Sequence, residues 1–280
     1  MSRIKKILLF GSSGMLGRYV HTYFKYYTNI VIIPVDFRIT NSKLEMLDFV
    51  LEEHGIDNTT CVINCIGLIP QRYTNKSYHD YYLINSIFPN VLWTLCKKYE
   101  AEMIQPTTDC VYNGFRETGD YVEYEPPDET NHYGMSKSLG EPFDCTIIRT
   151  SIIGEELLNK KSLLEWVKTS NENSDIIFGW TTHKWNGITC LQYCKIVEQI
   201  IFKDLFWQGI RHFYSPTPVS KYELICMIKD TYNLKDLRIE IRTTDKIVNK
   251  TLKSTFSFIT LFKIPELSEQ INELKRFELK

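Results

Sequence analysis

Short, uninterrupted aliphatic runs alternate along the first half of the chain with longer amphipathic stretches. Ile4 to Phe10 is the first such run, and it ends in Gly11-Ser12-Ser13-Gly14-Met15-Leu16-Gly17. Tyr19 to Tyr27 reads as a helix with apolar and aromatic side chains on one side. A second apolar run, Ile30 to Val35, leads into Asp36-Phe37-Arg38. Leu47 to His54 has a helical pattern, and Thr60 to Gly67 reads as a strand buried on both faces. Asn85 to Tyr99 is a long helical pattern, and Met103 to Tyr112 is the next strand. Strands without polar alternation, separated by helices, imply a parallel sheet covered on both sides. The expected fold is α/β, a Rossmann-type doubly wound parallel sheet.

After Ile147-Ile148-Arg149 the texture changes. Helical patterns at Ser162 to Thr169, Leu191 to Phe202 and Lys221 to Tyr232 alternate with short extended pieces and Pro-bearing turns. One core rarely grows much past ~250 residues. The 280 residues therefore divide into a first domain over 1–150 and a smaller α/β lobe built mainly from 151–280, with room for the chain to cross back once.

Composition narrows the partners. Lys plus Arg total 33 against 34 for Asp plus Glu, a formal net charge of -1, so no long-range field gathers nucleic acid or an anionic membrane. The aliphatic run near the start stops at Gly11, too short for a signal-peptide core, and no apolar stretch reaches the roughly 18 residues of a membrane span. The eight cysteines form no CxxC pair and mostly sit in apolar segments. They read as buried thiols of a cytoplasmic protein, with no metal site.

The glycine turn is the first chemical signal. It follows a strand and opens a helix, the context of a dinucleotide-binding turn, in which backbone N–H groups meet a pyrophosphate. Its spacing is Gly-x-x-Gly-x-x-Gly, and no Lys-Ser/Thr pair follows Gly17 as a P-loop requires. Gly11, Ser13, Gly14, Met15, Leu16 and Gly17 are the expected cofactor contacts. Asp36 suits a ribose 2′-hydroxyl and NAD, whereas Arg38 suits a 2′-phosphate and NADP, so the residues themselves leave that choice open.

The second signal runs from Pro106 to Glu141. Thr107-Thr108-Asp109-Cys110-Val111-Tyr112 closes a strand, and Asn131-His132-Tyr133-Gly134-Met135-Ser136-Lys137 opens a helix. Tyr133 and Lys137 are four apart and share a helical face. An ammonium beside a phenol lowers its pKa from ~10 and lets it hand a proton to an alkoxide forming at a carbonyl. Thr108, upstream at the strand end, supplies a hydroxyl partner.

These segments resemble the extended short-chain dehydrogenase/reductases, in the branch of dTDP-4-dehydrorhamnose reductases and related nucleotide-sugar reductases. GSSGMLG, VINCIGLIP, TTDCVYNG, YGMSK and IIRTSIIG match family segments in family order over most of residues 1–155, and SLLEW and SPTPVSKYEL extend the likeness. The finer likeness is to reductases of UDP-linked 2-acetamido-2,6-dideoxy-4-keto-hexoses of the N-acetyl-L-rhamnosamine type. The resemblance implies hydride transfer from a nicotinamide to the C4 ketone of a UDP- or dTDP-linked 4-keto-6-deoxyhexose. Tyr133 would protonate the oxyanion, Thr108 would hydrogen-bond the same oxygen, and Lys137 would hold the cofactor ribose. Asn64, Cys65 and Gly67 would lie along the cofactor, which is expected to be NADP(H) rather than NAD(H). A homodimer is also implied.

Relatives that epimerise the sugar, such as GDP-fucose synthase, carry Cys where this chain has Cys110. On a strand, Thr108 and Cys110 would face one way, so C3 epimerisation coupled to reduction is the reading weighed against a cysteine that merely lines the site. Lys161, Lys168, His183 and Lys184 lie in plausible stretches for its partner but read as surface charges, and none is singled out. Trp185 and Asn186 are expected at the substrate, with Phe178, Trp180 and Tyr214 as further aromatic surface and Lys221 and Arg149 as cations for a diphosphate. Trp166 reads as packing. The alternatives are a cofactor-binding regulatory subunit and a dehydratase or epimerase of the same superfamily. The latter usually carries Thr-Asp-Glu, which is Thr108-Asp109-Cys110 here.

Overall fold

The computed structural model describes residues 2–72, 77–158 and 160–280. Five strands follow from the apolar runs: β1 (Lys6–Phe10), β2 (Val31–Val35), β3 (Thr60–Asn64), β4 (Glu102–Thr108) and β5 (Thr146–Thr150). With Gly209–His212 they form one six-stranded sheet in the order Gly209–His212, β5, β4, β3, β1, β2, parallel throughout. The order reverses between β1 and β3, the switch point at which open α/β sheets bind ligands beyond their carboxyl ends.

Side-chain alternation along β1 divides the core into two layers. Ile7 and Leu9 pack with Tyr19, Val20 and Phe24 of helix α1 (Met15–Tyr27) and with Ile196, Val197 and Ile200 of the helix Cys190–Phe202. Leu8 and Phe10 point the other way, onto Leu47 and Leu51 and onto Phe88, Leu92 and Cys96 of the helix Phe88–Lys98. Uninterrupted apolar strands are the sequence mark of this two-sided burial.

The chain returns to the main sheet through the helix Cys190–Phe202 and the strand Gly209–His212. The smaller lobe holds the pair Ile176–Trp180 with Arg238–Arg242 and the sheet of His183–Trp185, Val219–Ser220 and Val248–Asn249. A bridge from Tyr121 to Leu252 adds the segment after β4 to that lobe. No helix among the described residues is long and apolar enough to cross a membrane.

Two elements differ from the sequence pattern near the site. The strand expected to reach Tyr112 stops at Thr108, because the Thr108 side chain accepts the Cys110 N–H at 3.1 Å and caps a 3₁₀ turn over Asp109–Val111. The long helix begins earlier, at Tyr78, under a Ser77–Asp80 capping box, and passes through a π-helical turn, Leu83–Ile87. That turn carries Asn85 inward, where its amide brackets both backbone groups of Leu68 and reaches Ser136 Oγ at 3.0 Å. It thereby ties the loop after β3 to the helix bearing Tyr133.

Candidate active site

Two connected cavities lie along the carboxyl ends of the strands. The outer one, about 640 Å³, is bordered by Gly11, Ser13, Gly14, Asp36, Arg38 and Gly67. The inner one, about 370 Å³, is bordered by Met15, Leu16, Asn64, Thr108, Cys110, Tyr133 and Lys137. Gly14, Cys65, Ile66 and Gly67 line both, so the two are one cleft.

The cleft exists because the glycine turn lies flat against β3. Gly11 has φ +77, and a Cβ there would sit 2.7 Å from Ile66 N, so an L side chain is excluded by conformation and by space. Gly17 does not line the cleft; it lets α1 close onto the Gly11 carbonyl. Gly14 caps α1 without a side-chain hydrogen bond, and the first N–H groups of a helix have no intrahelical acceptor. Phe37 is held inward by Phe10 and Phe88, with centroids at 6.1 and 5.9 Å, and its neighbours Asp36 and Arg38 are exposed at the outer cavity. Asn64 is held by Gln105, to which its amide donates at 2.9 Å, and by Ile66 N–H at 3.1 Å, which fixes the turn after β3.

Around the inner cavity, the helix His132–Leu139 presents Tyr133 and Lys137 one turn apart, with Asn131 accepting Gly134 N–H at 2.9 Å as its cap. Thr108 stands beside the Tyr133 hydroxyl and favours its phenolate, but burial dominates and, with Cys110, raises the phenol above its ordinary range. Lys137 donates to the Pro106 carbonyl at 3.3 Å. Burial brings its ammonium down to about 8, against the pull of Glu141. The expectation that Lys137 holds the phenol below its usual pKa is corrected here: loss of water pushes both groups towards their neutral forms. Burial, then Asp109, pushes the Cys110 thiol up to about 12.

Thr108 and Cys110 do share the cavity, though through the 3₁₀ turn rather than by strand alternation. Trp185 and Asn186 are not brought to it. Asn186 is spent on the backbone of Leu252, donating to its carbonyl at 2.8 Å and accepting its N–H at 2.9 Å, while Trp185 packs on the core. Arg149 is buried against Glu141, far from the role of a diphosphate cation. Of the four side chains considered as a partner for Cys110, Lys161 lines the cavity. Lys168 faces Glu155 and Glu165, His183 stacks on Trp180, and Lys184 faces Glu223. Trp166 is 40% exposed and, with Phe178, Trp180 and Lys221, borders a separate hollow of about 410 Å³.

Thr107 escaped the sequence reading. It lines the inner cavity, and its Oγ1 is buried with no hydrogen-bond partner among the described residues. The signal was its place beside Thr108, but nothing in the pattern separates a lining hydroxyl from a buried one.

The sheet order, the glycine cradle and the cleft at the switch point define a Rossmann-type α/β protein. The chain belongs to the family of the RmlD substrate binding domain, whose family model matches residues 5–273. Solved structures with the same fold include a dTDP-4-dehydrorhamnose reductase from Clostridium acetobutylicum, with 20% identity, 97% of this chain and 98% of that one covered, and a TM-score of 0.79. The enzyme of that name from Bacillus anthracis, solved in complex with NADP, has 18% identity, 98% and 99% coverage and a TM-score of 0.80. That from Yersinia enterocolitica has 18% identity, 96% and 98% coverage and a TM-score of 0.78. No curated protein sequence matches the chain.

Proposed function

We propose that the protein is an NAD(P)H-dependent reductase of the C4 ketone of a nucleotide-linked 4-keto-6-deoxyhexose, acting in deoxysugar biosynthesis. The observation that carries this is the meeting of Thr108, Tyr133 and Lys137 around one cavity continuous with the glycine cradle. The cleft fits a dinucleotide: a Cβ-free turn and a bare helix start for the pyrophosphate. A nicotinamide dinucleotide held there supplies the hydride.

The chain's own groups do the rest. The N–H groups of Ser13, Met15 and Leu16 would hold the pyrophosphate, the Gly14 N–H being taken by the Gly11 carbonyl at 3.1 Å, and Lys137 would hold the ribose beside the inner cavity. NADP(H) is the preferred form in this reading, because Arg38 is exposed at the outer cavity and has no ion pair among the described residues. Tyr133, kept protonated by burial, releases its proton from the phenol oxygen to the ketone oxygen as negative charge develops there. Cys110 remains a thiol near neutral pH, so in any exchange at C3 it serves as proton donor and not as base. Two copies pair through Ile87, Met135 and Leu139, exposed apolar residues on the tyrosine helix and the adjoining π turn.

Oxidation of NADPH with dTDP- and UDP-linked 4-keto-6-deoxyhexoses in D2O tests the reading. Turnover with either nucleotide supports it and reports which is preferred, while deuterium at C3 of the product adds epimerisation. Cofactor binding without turnover on both sugars would instead make the protein a regulatory subunit.

One prediction arises from this site. Lys137 is cationic below about 8 and neutral above, so kcat/KM falls as pH rises through that value, approaching about tenfold per unit. A flat profile from about pH 7 to about pH 9 contradicts it.

A further inference from the structure

A nucleotide-linked sugar brings a doubly charged diphosphate to the inner cavity, and the charges on its walls decide where that group lies. Among the described lining residues the cations are Lys137 and Lys161, and the carboxylate is Glu156. Lys137 stands one turn from Tyr133 and donates to the Pro106 carbonyl at 3.3 Å. Lys161 is on another wall, in the loop between the strand Ile152–Ile153 and the helix Leu163–Glu172. The other two cations that suit a diphosphate are engaged elsewhere. Arg149 is paired with Glu141, and Lys221 borders the separate hollow beside Trp166.

The loop holds Lys161 in place without using its charge. Glu156 is 6% exposed, and its Oε2 accepts the Lys161 N–H at 2.7 Å and the Ser162 N–H at 3.0 Å. The Glu156 N–H donates to Glu165 Oε1 at 3.0 Å, and Ser162 Oγ donates to the Gly154 carbonyl at 3.2 Å. These bonds pin the Lys161 backbone to the strand end and the helix start. Backbone N–H groups meet the charge of Glu156, and Lys168 faces Glu165 at 3.7 Å, so neither carboxylate claims the Lys161 ammonium. Its side chain is exposed at the cavity and makes no ion pair or hydrogen bond among the described residues.

We propose that Lys161 is a substrate-binding residue whose ammonium pairs with the diphosphate of a nucleotide-linked sugar, the hexose lying at Thr108 and Tyr133. This rests on the reading of the site as a nucleotide-sugar one. The dinucleotide's pyrophosphate has the N–H groups at the start of α1, whereas a second diphosphate at the inner cavity has Lys161 as its unpaired cation. A charge-assisted bond of this kind is among the stronger polar contacts a ligand makes. An ammonium so engaged is not the proton partner of Cys110.

Calorimetric titration of UDP, dTDP, uridine and thymidine into the protein tests this without turnover. In the wild type a nucleoside diphosphate binds more tightly than its nucleoside. Lys161→Ala weakens the better-bound diphosphate about tenfold and leaves its nucleoside and NADPH within about twofold. Lys161→Arg, which keeps the charge, stays within about threefold of wild type. With the 4-keto sugar, Lys161→Ala raises KM about tenfold and holds kcat within about threefold. Wild type that binds neither diphosphate, an unchanged affinity in Lys161→Ala, or an equal loss for the nucleoside overturns the proposal. A loss confined to NADPH also overturns it and gives the lysine to the cofactor. Lys161-dependent diphosphate binding in a protein that reduces neither sugar would sink the reductase reading and leave this assignment standing.

Discussion

Tyr133→Phe lowers kcat about a thousandfold while leaving dinucleotide affinity within about threefold. The ring stays in place, so the packing around it is kept and only the phenol oxygen is lost. That oxygen lies at the cavity next to Thr108, and burial holds its proton through the neutral range. A group that must start the reduction protonated is helped by a raised pKa, provided charge appears on the acceptor as hydride arrives. Its bond strengthens only in the transition state, so the loss falls on kcat and not on binding. Steady-state kinetics with a fluorescence titration of NADPH separate the two. A kcat within tenfold of wild type would remove Tyr133 from the proton transfer.

Arg149→Met costs about 3–5 kcal/mol of folding stability. Arg149 is 1% exposed at the end of β5 and grips Glu141 with two bonds, Nε to Oε1 at 3.0 Å and Nη2 to Oε2 at 2.6 Å. Its Nη1 donates to the Tyr112 hydroxyl at 2.7 Å and lies 3.3 Å from His212 Nε2. Burial, followed by Arg149 itself, brings that histidine down to about 4, so its neutral ring accepts a hydrogen bond from the guanidinium. Removing the guanidinium leaves the Glu141 carboxylate buried without a partner. The double variant Arg149→Met/Glu141→Leu therefore regains most of the loss. Urea unfolding of the single and double variants decides this; a single variant within 1 kcal/mol of wild type contradicts it. Glu141 lies one turn beyond Lys137 and Arg149 directly precedes the cavity residues Thr150 and Ser151, so the pair also fixes two walls of the site.

The parallel sheet was legible because β1 and β3 carry no polar alternation, the pattern of strands covered on both faces. The glycine turn and the Tyr–Lys spacing were legible for the same kind of reason: local geometry alone places their atoms. Other features depended on tertiary partners. Thr108 ends its strand by bonding Cys110 N–H, a choice that a strand-forming sequence does not announce. Asn186 reads as a polar substrate contact until Leu252, 66 residues on, claims both ends of its amide. Trp166 reads as core because its neighbours Leu164 and Val167 are buried, yet its own position on the helix faces out. The direction of the Tyr133 and Lys137 shifts follows from how much water the fold excludes, which spacing cannot report.

The central claim is that hydride reaches the C4 ketone of a nucleotide sugar while Tyr133 supplies the proton. NADPH deuterated at the transferring position of its nicotinamide, incubated with the protein and, in separate reactions, a dTDP- and a UDP-linked 4-keto-6-deoxyhexose, tests it directly. Deuterium at C4 of the product sugar, with equimolar loss of NADPH, is the predicted result. Both sugars recovered unlabelled at C4, with the cofactor bound but unconsumed, would contradict it.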